Sequence, residues 1–177
     1  MTFDGPVRMR ERDYFSWRHV YIRMGCRLVR LQAMHEGSVD IGALYGEVDS
    51  FFLDCNHLRE WMHKDTKSEH ALPEAARNEA EEFAQGNDAL ATAIGFANTS
   101  KHLFRDPPRI RRNGQQTEDM TARIVAWIVG GGDPISVRVE SQSSTRARRE
   151  EDALDLAERC AAAWEDFLLS HHVDIPG

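Results

Sequence analysis

The fold is decided by residues 40–65, which read DIGALYGEVDSFFLDCNHLREWMHKD. Apolar residues recur in this stretch at intervals of three and four, which predicts a long helix from about Asp40 to Asp65. Leu53 and Trp61 fall on the side of this helix opposite the main apolar stripe. A helix that is apolar nearly all round is usually buried at the centre of a domain. We therefore expect the other elements of the chain to pack around it.

Further helices and one hairpin are predicted on either side of this central helix. Helical periodicity and capping signals indicate three more helices, at about residues 9–35, 74–83 and 89–104. Residues 121–129 are rich in β-branched and aromatic residues, and residues 135–140 alternate between apolar and polar side chains. The Gly-Gly-Gly-Asp-Pro sequence between them favours a turn, so together they predict an antiparallel β-hairpin. A last helix is predicted over residues 146–170.

These elements predict a mainly α fold, an antiparallel bundle of about four to five helices with one β-hairpin inserted before the C-terminal helix. The 177 residues fit a single domain with an ample core. A lone hairpin is only marginally stable, so it should pack on the helices or pair with another chain. In chain order we expect a tail, a helical region, a basic mobile loop, the hairpin and the last helix, over residues 1–7, 8–104, 105–118, 119–141 and 146–170.

The composition is that of an ordinary globular protein. Hydrophobic residues make up 41% and charged residues 29% of the chain, which is typical of soluble domains. No apolar run approaches the roughly 18 residues that a membrane-spanning helix needs, so we expect no membrane partner. Cys26, Cys55 and Cys160 fall on apolar helical positions, which predicts three reduced core thiols. The odd number of cysteines and the lack of a signal peptide predict a cytoplasmic protein.

Positive charge is concentrated locally on an otherwise acidic chain. The net charge of −7 argues against general affinity for nucleic acid. Arg23, Arg27 and Arg30 form a stripe on the first helix, which predicts a solvated face, pairing with an acidic helix or an anionic ligand. A second group of four arginines lies between Arg105 and Arg112. A loop of this kind can hold a phosphate backbone.

Two polar groups are candidates for a functional site. Asn98 and His102 are four residues apart at the end of the fourth predicted helix, so they share one face of it. Asp54 and His57 lie in the central helix, where ionisable groups need partners. A histidine can act as a general acid or base near neutral pH. Both groups can equally well serve as hydrogen-bonded links between helices, and the sequence leaves the two interpretations open.

The segment ANTSKH at residues 97–102 resembles the C-terminal part of the RNxxxH motif of the HEPN superfamily. In that pattern Asn98 matches the polar residue after the arginine and His102 matches the histidine. The chain departs from the pattern at Ala97, where the family has arginine. The segment FFLDCNHLREWMHKD at residues 51–65 is similar to the preceding helix of such bundles. The two segments together resemble those of a group of small uncharacterised bacterial proteins.

HEPN proteins are small helical bundles, and many are metal-independent ribonucleases of toxin–antitoxin and antiviral systems. The resemblance therefore implies an RNA-cleaving or RNA-binding effector that needs no cofactor. It also implies a homodimer with the motif at its interface, and RNA or another protein as partner. The candidate catalytic residues are Asn98, His102, His57 and Asp54. The candidate substrate-binding residues are Lys101, Arg59, Arg105, Arg109 and Trp61, whose ring can stack on a base.

Two other classes of function remain open. A bundle of the same build without catalytic activity would bind a partner protein or nucleic acid, and both Ala97 and the acidic net charge favour it. A metal- or small-molecule-dependent enzyme would use Asp54, His57 and His102, because aspartate and histidine suit zinc or non-haem iron. Other catalytic motifs are absent, since the glycine run at residues 130–132 is followed by Asp-Pro and no GxSxG occurs.

Overall fold

The computed structural model describes residues 16–36, 40–101, 121–127, 136–142 and 147–176. Within these ranges the chain forms five α-helices packed together and one three-stranded antiparallel sheet. The mainly helical fold predicted from the sequence is therefore confirmed. In chain order the elements are α1 (Trp17–Glu36), α2 (Ile41–Lys64), α3 (Glu74–Gly86), α4 (Asp88–Lys101), β1 (Thr121–Trp127), β2 (Ser136–Gln142), β3 (Arg149–Asp152) and α5 (Ala153–Ser170).

The helix α2 lies at the centre of the packing and contacts the other four helices. Its N-terminus is capped by Asp40, whose side chain accepts a hydrogen bond from the backbone N–H of Ala43 at 2.9 Å. Towards α4, the Phe52 and Phe96 rings lie 5.3 Å apart. Its buried side chains are Leu44, Val48, Phe51, Phe52, Asp54, Cys55, Asn56, Leu58 and Met62. The expectation of a central, buried helix over this stretch is confirmed.

The sheet covers one side of the helices through the face that carries its valines. β1 and β2 form the predicted antiparallel hairpin, in which Arg123 lies opposite Glu140. Val137 and Val139 of β2 are buried, whereas Arg138 between them is exposed. This alternation is expected of an antiparallel strand with one face on the core. β1 contacts α4 and β2 contacts α5, so the hairpin packs on the helices of its own chain.

A third strand, β3, occupies residues that the sequence analysis assigned to the last helix. β3 pairs antiparallel with β2, and Asp152 lies opposite Arg138. The helix α5 begins at Ala153 rather than at Arg146 because Asp152 caps it. The Asp152 side chain accepts hydrogen bonds from the backbone N–H groups of Leu154 at 2.8 Å and Asp155 at 3.4 Å. A capping residue has extended backbone, so Asp152 ends the strand and begins the helix without a linker.

The cysteines, the membrane-spanning potential of the helices and the two predicted irregular segments can each be compared with the structure. Cys55 and Cys160 are buried, as predicted, but Cys26 is exposed, so the expectation of a core thiol was wrong there. Cys26 lies on the side of α1 that also exposes Val29 and Arg30. None of the helices in the described ranges combines the length and apolar character that crossing a membrane requires. The expected tail at residues 1–7 and basic loop at residues 105–118 lie outside the described residues.

The cap of α5 gives a first testable prediction. Replacing Asp152 with alanine leaves two N–H groups of the first helical turn without their acceptor, and should lower the free energy of unfolding by about 1 kcal/mol. Asp152→Asn keeps an acceptor at the same position and should stay within about 0.5 kcal/mol of the parent chain. Urea unfolding followed by circular dichroism measures both values. Equal stabilities of the alanine and asparagine variants would contradict the assignment of the cap.

Candidate functional site

Asp54 is a buried carboxylate at the contact between α1 and α2. Only 4% of its surface is exposed. It accepts hydrogen bonds from Arg23 Nε at 2.9 Å and Nη2 at 2.5 Å, and from Arg27 Nε at 2.7 Å. A buried carboxylate is tolerated when opposite charges and N–H donors surround it, and two guanidinium groups meet that need here. Asp54 therefore joins the two helices.

Glu47 extends this ion-pair network along the same face of α2. It lies two helical turns before Asp54, and its Oε1 is 3.1 Å from Arg27 Nη1 and 3.7 Å from Arg30 Nη1. Burial lowers the pKa of the Arg27 guanidinium, but Asp54 and Glu47 raise it by more. The arginine stripe of α1 thus pairs with acidic residues of α2, which is one of the three alternatives that the sequence left open.

His57 lies one turn after Asp54, at the solvent side of the same network. Its Nδ1 is 3.8 Å from Asp54 Oδ1, and 37% of its side chain is exposed. That separation is longer than a hydrogen bond, and both oxygens of Asp54 already accept hydrogen bonds from arginines. His57 is therefore a neighbour of the ion-pair network. Trp61, one turn further along α2, is 38% exposed.

Arg59, a candidate substrate-binding residue, binds a carboxylate of its own chain. Its Nη1 lies 2.8 and 2.9 Å from the two carboxylate oxygens of Glu81 in α3. Its Nη2 is also 3.8 Å from Oε1 of Glu60. Only 16% of the Arg59 side chain is exposed. Arg59 therefore holds α3 against α2.

The end of α4 carries the segment that resembles the HEPN motif. Ala97 is fully buried, whereas Asn98 is exposed. Thr99 is half-buried, and its hydroxyl donates a hydrogen bond to the carbonyl of Gly95 at 2.8 Å. Lys101 is the last residue of the helix. The other candidates of this segment and the following loop, His102, Arg105 and Arg109, lie outside the described residues, so the pairing of Asn98 with His102 stays a prediction.

The structure does not bring Asp54 and Asn98 together. Asp54 faces α1, and it lies about 200° around α2 from Phe52, the residue that contacts α4. Asn98 lies about 200° around α4 from Phe96, which faces α2. The two polar groups therefore point to different sides of the bundle. Over the residues that the structure describes, no three histidine, cysteine, aspartate or glutamate side chains are arranged to hold a metal ion.

A cleft of about 130 Å³ lies where the end of α4 meets the sheet, and we call it the α4–sheet cleft. It is lined by Thr99, Ala122, Arg123, Glu140 and Gln142. One of these residues, Thr99, belongs to α4, and the other four belong to β1 and β2. Since Thr99 follows Asn98 directly, the cleft adjoins the described end of the candidate motif.

Glu140 is the central charge of the α4–sheet cleft. Arg123 donates two hydrogen bonds of 3.2 Å to its carboxylate, and Arg148, which precedes β3, binds it as well. The pKa of Glu140 is lowered, mainly by the hydrogen bond from Arg123. Burial, the second-largest effect, raises this pKa, while the charges of Arg123 and Arg148 lower it further. Glu140 is 11% exposed, but the Arg123 and Arg148 side chains are 65% and 62% exposed.

No motif or spacing in the sequence singled out Arg123, Arg148 or Glu140. The alternation of β2 was visible, and it places Glu140 on the face opposite Val137 and Val139. The partner of Glu140 depends on the register of the hairpin, which the sequence did not fix. The usable signal was the opposite charge of Arg123 and Glu140 at outward positions of two adjacent strands.

Comparisons of the chain with protein-family models, with curated proteins and with solved structures found no match in any of the three. The candidate site is therefore described by its own geometry. Within the described ranges, that geometry includes Asp54 and Glu140, two carboxylates that are each bound by two arginines, as Glu47 also is. Asp54 lies in the helical core, and Glu140 lies at the α4–sheet cleft.

The roles of Asp54 and His57 can be separated by their effects on stability. Among the described residues, Asp54→Ala leaves Arg23 without an acidic partner and Arg27 with only Glu47. The free energy of unfolding should therefore fall by about 2 kcal/mol, less than for a fully buried pair because Arg23 is partly exposed. His57→Ala should change it by less than about 0.5 kcal/mol. Urea unfolding at neutral pH measures both. A His57 variant as unstable as the Asp54 variant would contradict this assignment.

Glu140 should make stability depend on acid pH. Its pKa is lower in the folded chain than the ordinary value of 4.5, so its contribution is present above that value and is lost as the pH falls through the folded pKa. Glu140→Gln should therefore differ most from the parent above about pH 5, and the difference should shrink below about pH 4. Thermal unfolding between pH 3 and 7 tests this. A difference that is independent of pH would refute the argument, and Glu150→Gln on the neighbouring strand is the control.

Proposed function

We propose that the protein is an RNA-binding effector that acts on RNA without a metal ion, at the corner where the end of α4 meets the sheet. The observation that carries this proposal is the α4–sheet cleft, which is lined by Thr99, Glu140 and the exposed Arg123, and where the exposed Arg148 also binds Glu140. Arginine is the side chain best suited to bind phosphate, because its planar group donates several hydrogen bonds at once.

The segment between α4 and β1 contains four arginines, which also support the proposal. α4 ends at Lys101 and β1 begins at Thr121, and these two elements contact each other. The arginine-rich segment between them is therefore attached at both of its ends beside the cleft. On an acidic protein, a local concentration of arginine is the electrostatic signature of nucleic-acid binding. Arg105 and Arg109 are assigned to the RNA backbone on this basis.

The proposed chemistry on bound RNA uses Asn98 and His102. The resemblance to HEPN ribonucleases assigns them to the motif, and the exposure of Asn98 is compatible with contact to a ligand. A histidine can transfer a proton to or from a ribose or leaving-group oxygen near neutral pH. The proposal includes a homodimer, because the resembled family places its motif at a dimer interface.

The second candidate function is a bundle that binds RNA or a protein without cleaving RNA. One observation favours it specifically. Ala97 stands where the resembled motif has arginine, and its side chain is fully buried. An arginine at that position would point into the core, so the fold does not offer the usual position for the arginine of the motif. Binding and cleavage are therefore to be measured separately.

The proposal predicts saturable, salt-sensitive binding of single-stranded RNA. Fluorescence anisotropy with a labelled 20-nucleotide RNA should give affinity that falls steeply between 50 and 200 mM salt, because phosphate contacts release counterions. Arg105→Ala combined with Arg109→Ala should weaken binding about tenfold or more. Cleavage, followed on gels in the presence of EDTA, should be abolished by His102→Ala without loss of binding. His172→Ala, at an exposed histidine after α5, is the control.

Each result distinguishes among the candidates. Binding with cleavage that depends on His102 supports the ribonuclease form of the proposal. Binding without cleavage supports the second candidate. A purified protein that binds no RNA at 50 mM salt would overturn the assignment of RNA as ligand. Analytical ultracentrifugation tests the homodimer, and a monomer at micromolar concentration would contradict that part of the proposal.

A further inference from the structure

The strongest unassigned feature is the charge arrangement of the α4–sheet cleft. Two guanidinium groups converge on the single carboxylate of Glu140. On the same outer face, Glu150 lies directly opposite Glu140 on β3, and its Oε1 is 3.8 Å from Nε of Arg138. Arg123, Arg148 and Glu140 together therefore carry one more positive than negative charge, while Arg138 and Glu150 balance each other, in a protein whose net charge is −7.

The arginines of the cleft keep donors for a second anion. A guanidinium group has five N–H donors, and Glu140 takes those of Arg123 Nε and Nη2 and of Arg148 Nη2. The remaining donors belong to side chains that are 65% and 62% exposed. The hydroxyl proton of Thr99 is used on Gly95, so the donors on this wall come from the sheet.

The size of the cleft limits the ligand. About 130 Å³ exceeds the roughly 30 Å³ that one water occupies in the liquid, and it is smaller than the roughly 300–1,000 Å³ of sites for whole drug-sized molecules. A tetrahedral phosphate group fits this range, whereas a complete nucleoside does not. Both the arginine N–H donors and the volume of the cleft are therefore suited to a small oxyanion as ligand.

We propose that the α4–sheet cleft is a phosphate-binding subsite, in which Arg123 and Arg148 bind the phosphate and Glu140 is an internal anion that holds the two arginines together. Without an anion between them the two guanidinium groups would repel each other, and Glu140 prevents this when no ligand is bound. Glu140 is thus a positioning residue that also weakens ligand binding by its own charge. This inference rests on the proposed function only for the source of the phosphate, a phosphodiester of RNA.

The experiment uses inorganic phosphate as the first probe and a five-nucleotide RNA as the second. Binding to the full chain is followed by NMR of the arginine Nε–Hε groups, at constant ionic strength. Arg123→Gln and Arg148→Gln should each weaken phosphate binding about fivefold. Glu140→Gln should tighten it about fivefold, because one negative charge close to the ligand is removed. A purely structural Glu140 would lower stability without tightening binding.

A matched control lies on the same face of the sheet. Arg138→Gln removes the same positive charge as the two arginine variants at a residue that does not line the cleft, and it should alter phosphate affinity by less than about twofold. Arg148 precedes β3, so its variant tests the subsite even where a change at Arg123 within β1 impairs folding. Thermal unfolding of every variant confirms that it is folded before binding is measured.

The two probes separate this inference from the proposed function. Phosphate binding with the expected pattern of variants, but no RNA binding, supports the subsite and overturns RNA as the ligand. RNA binding that is unaffected by Arg123→Gln and Arg148→Gln supports the function and overturns the subsite. An affinity for phosphate that Glu140→Gln leaves unchanged or weakens also overturns the proposal, as does the absence of saturable binding in both the parent and the Glu140 variant.

Discussion

The charge of Asp54 is the constraint on which the central packing depends. A carboxylate that is almost fully buried in the middle of α2 would be costly alone, and α1 supplies the compensation through Arg23 and Arg27. Because both arginines lie on one face of α1, this ion-pair network fixes the rotation and the axial position of α1 against α2. Apolar packing, such as the contact of Met24 with Cys55 at 3.5 Å, then follows on the adjacent face.

A carboxylate bound by two arginines occurs again at the sheet, but there the arginines are more exposed to solvent. Asp54 lies between partners that are 39% and 23% exposed, and Glu47 shares the charge of the second one. Glu140 lies between partners that are more than half exposed, at the edge of an open cleft. The first carboxylate is therefore surrounded by protein, while the second leaves its arginines in contact with solvent. This difference separates the structural network in the helices from the proposed ligand site.

The sequence predicted the helices well because their signals are local. The apolar spacing of α2 and the capping signals follow from residues within a few turns of each other. The features that the sequence did not predict depend on contacts between elements that are distant in the chain. Residues 149–152 read Arg-Glu-Glu-Asp and have no strand pattern, and they become β3 because the edge of β2 has backbone groups available for pairing. The arginine stripe allowed three interpretations until its packing against α2 was known.

The candidate site was predicted only in part. Asn98 lies near the end of α4, where the sequence placed it, and it is exposed, whereas Asp54 belongs to an ion-pair network whose partners come from a helix distant in sequence. The buried position of Ala97 was not visible from spacing alone, because it depends on which face of α4 meets the bundle. The residues that line the cleft are brought together by the register of the hairpin, and no local sequence pattern specifies that register.

The direct passage from β3 into α5 also restricts how this protein can vary. Since Asp152 pairs with Arg138 and caps the following helix, no loop is present to absorb a change in chain length. One inserted residue would rotate α5 by about 100° relative to the sheet and turn the fully buried Trp164 away from the core. Insertions and deletions in related chains should therefore avoid this junction, and its length is a marker by which distant relatives of the protein can be recognised.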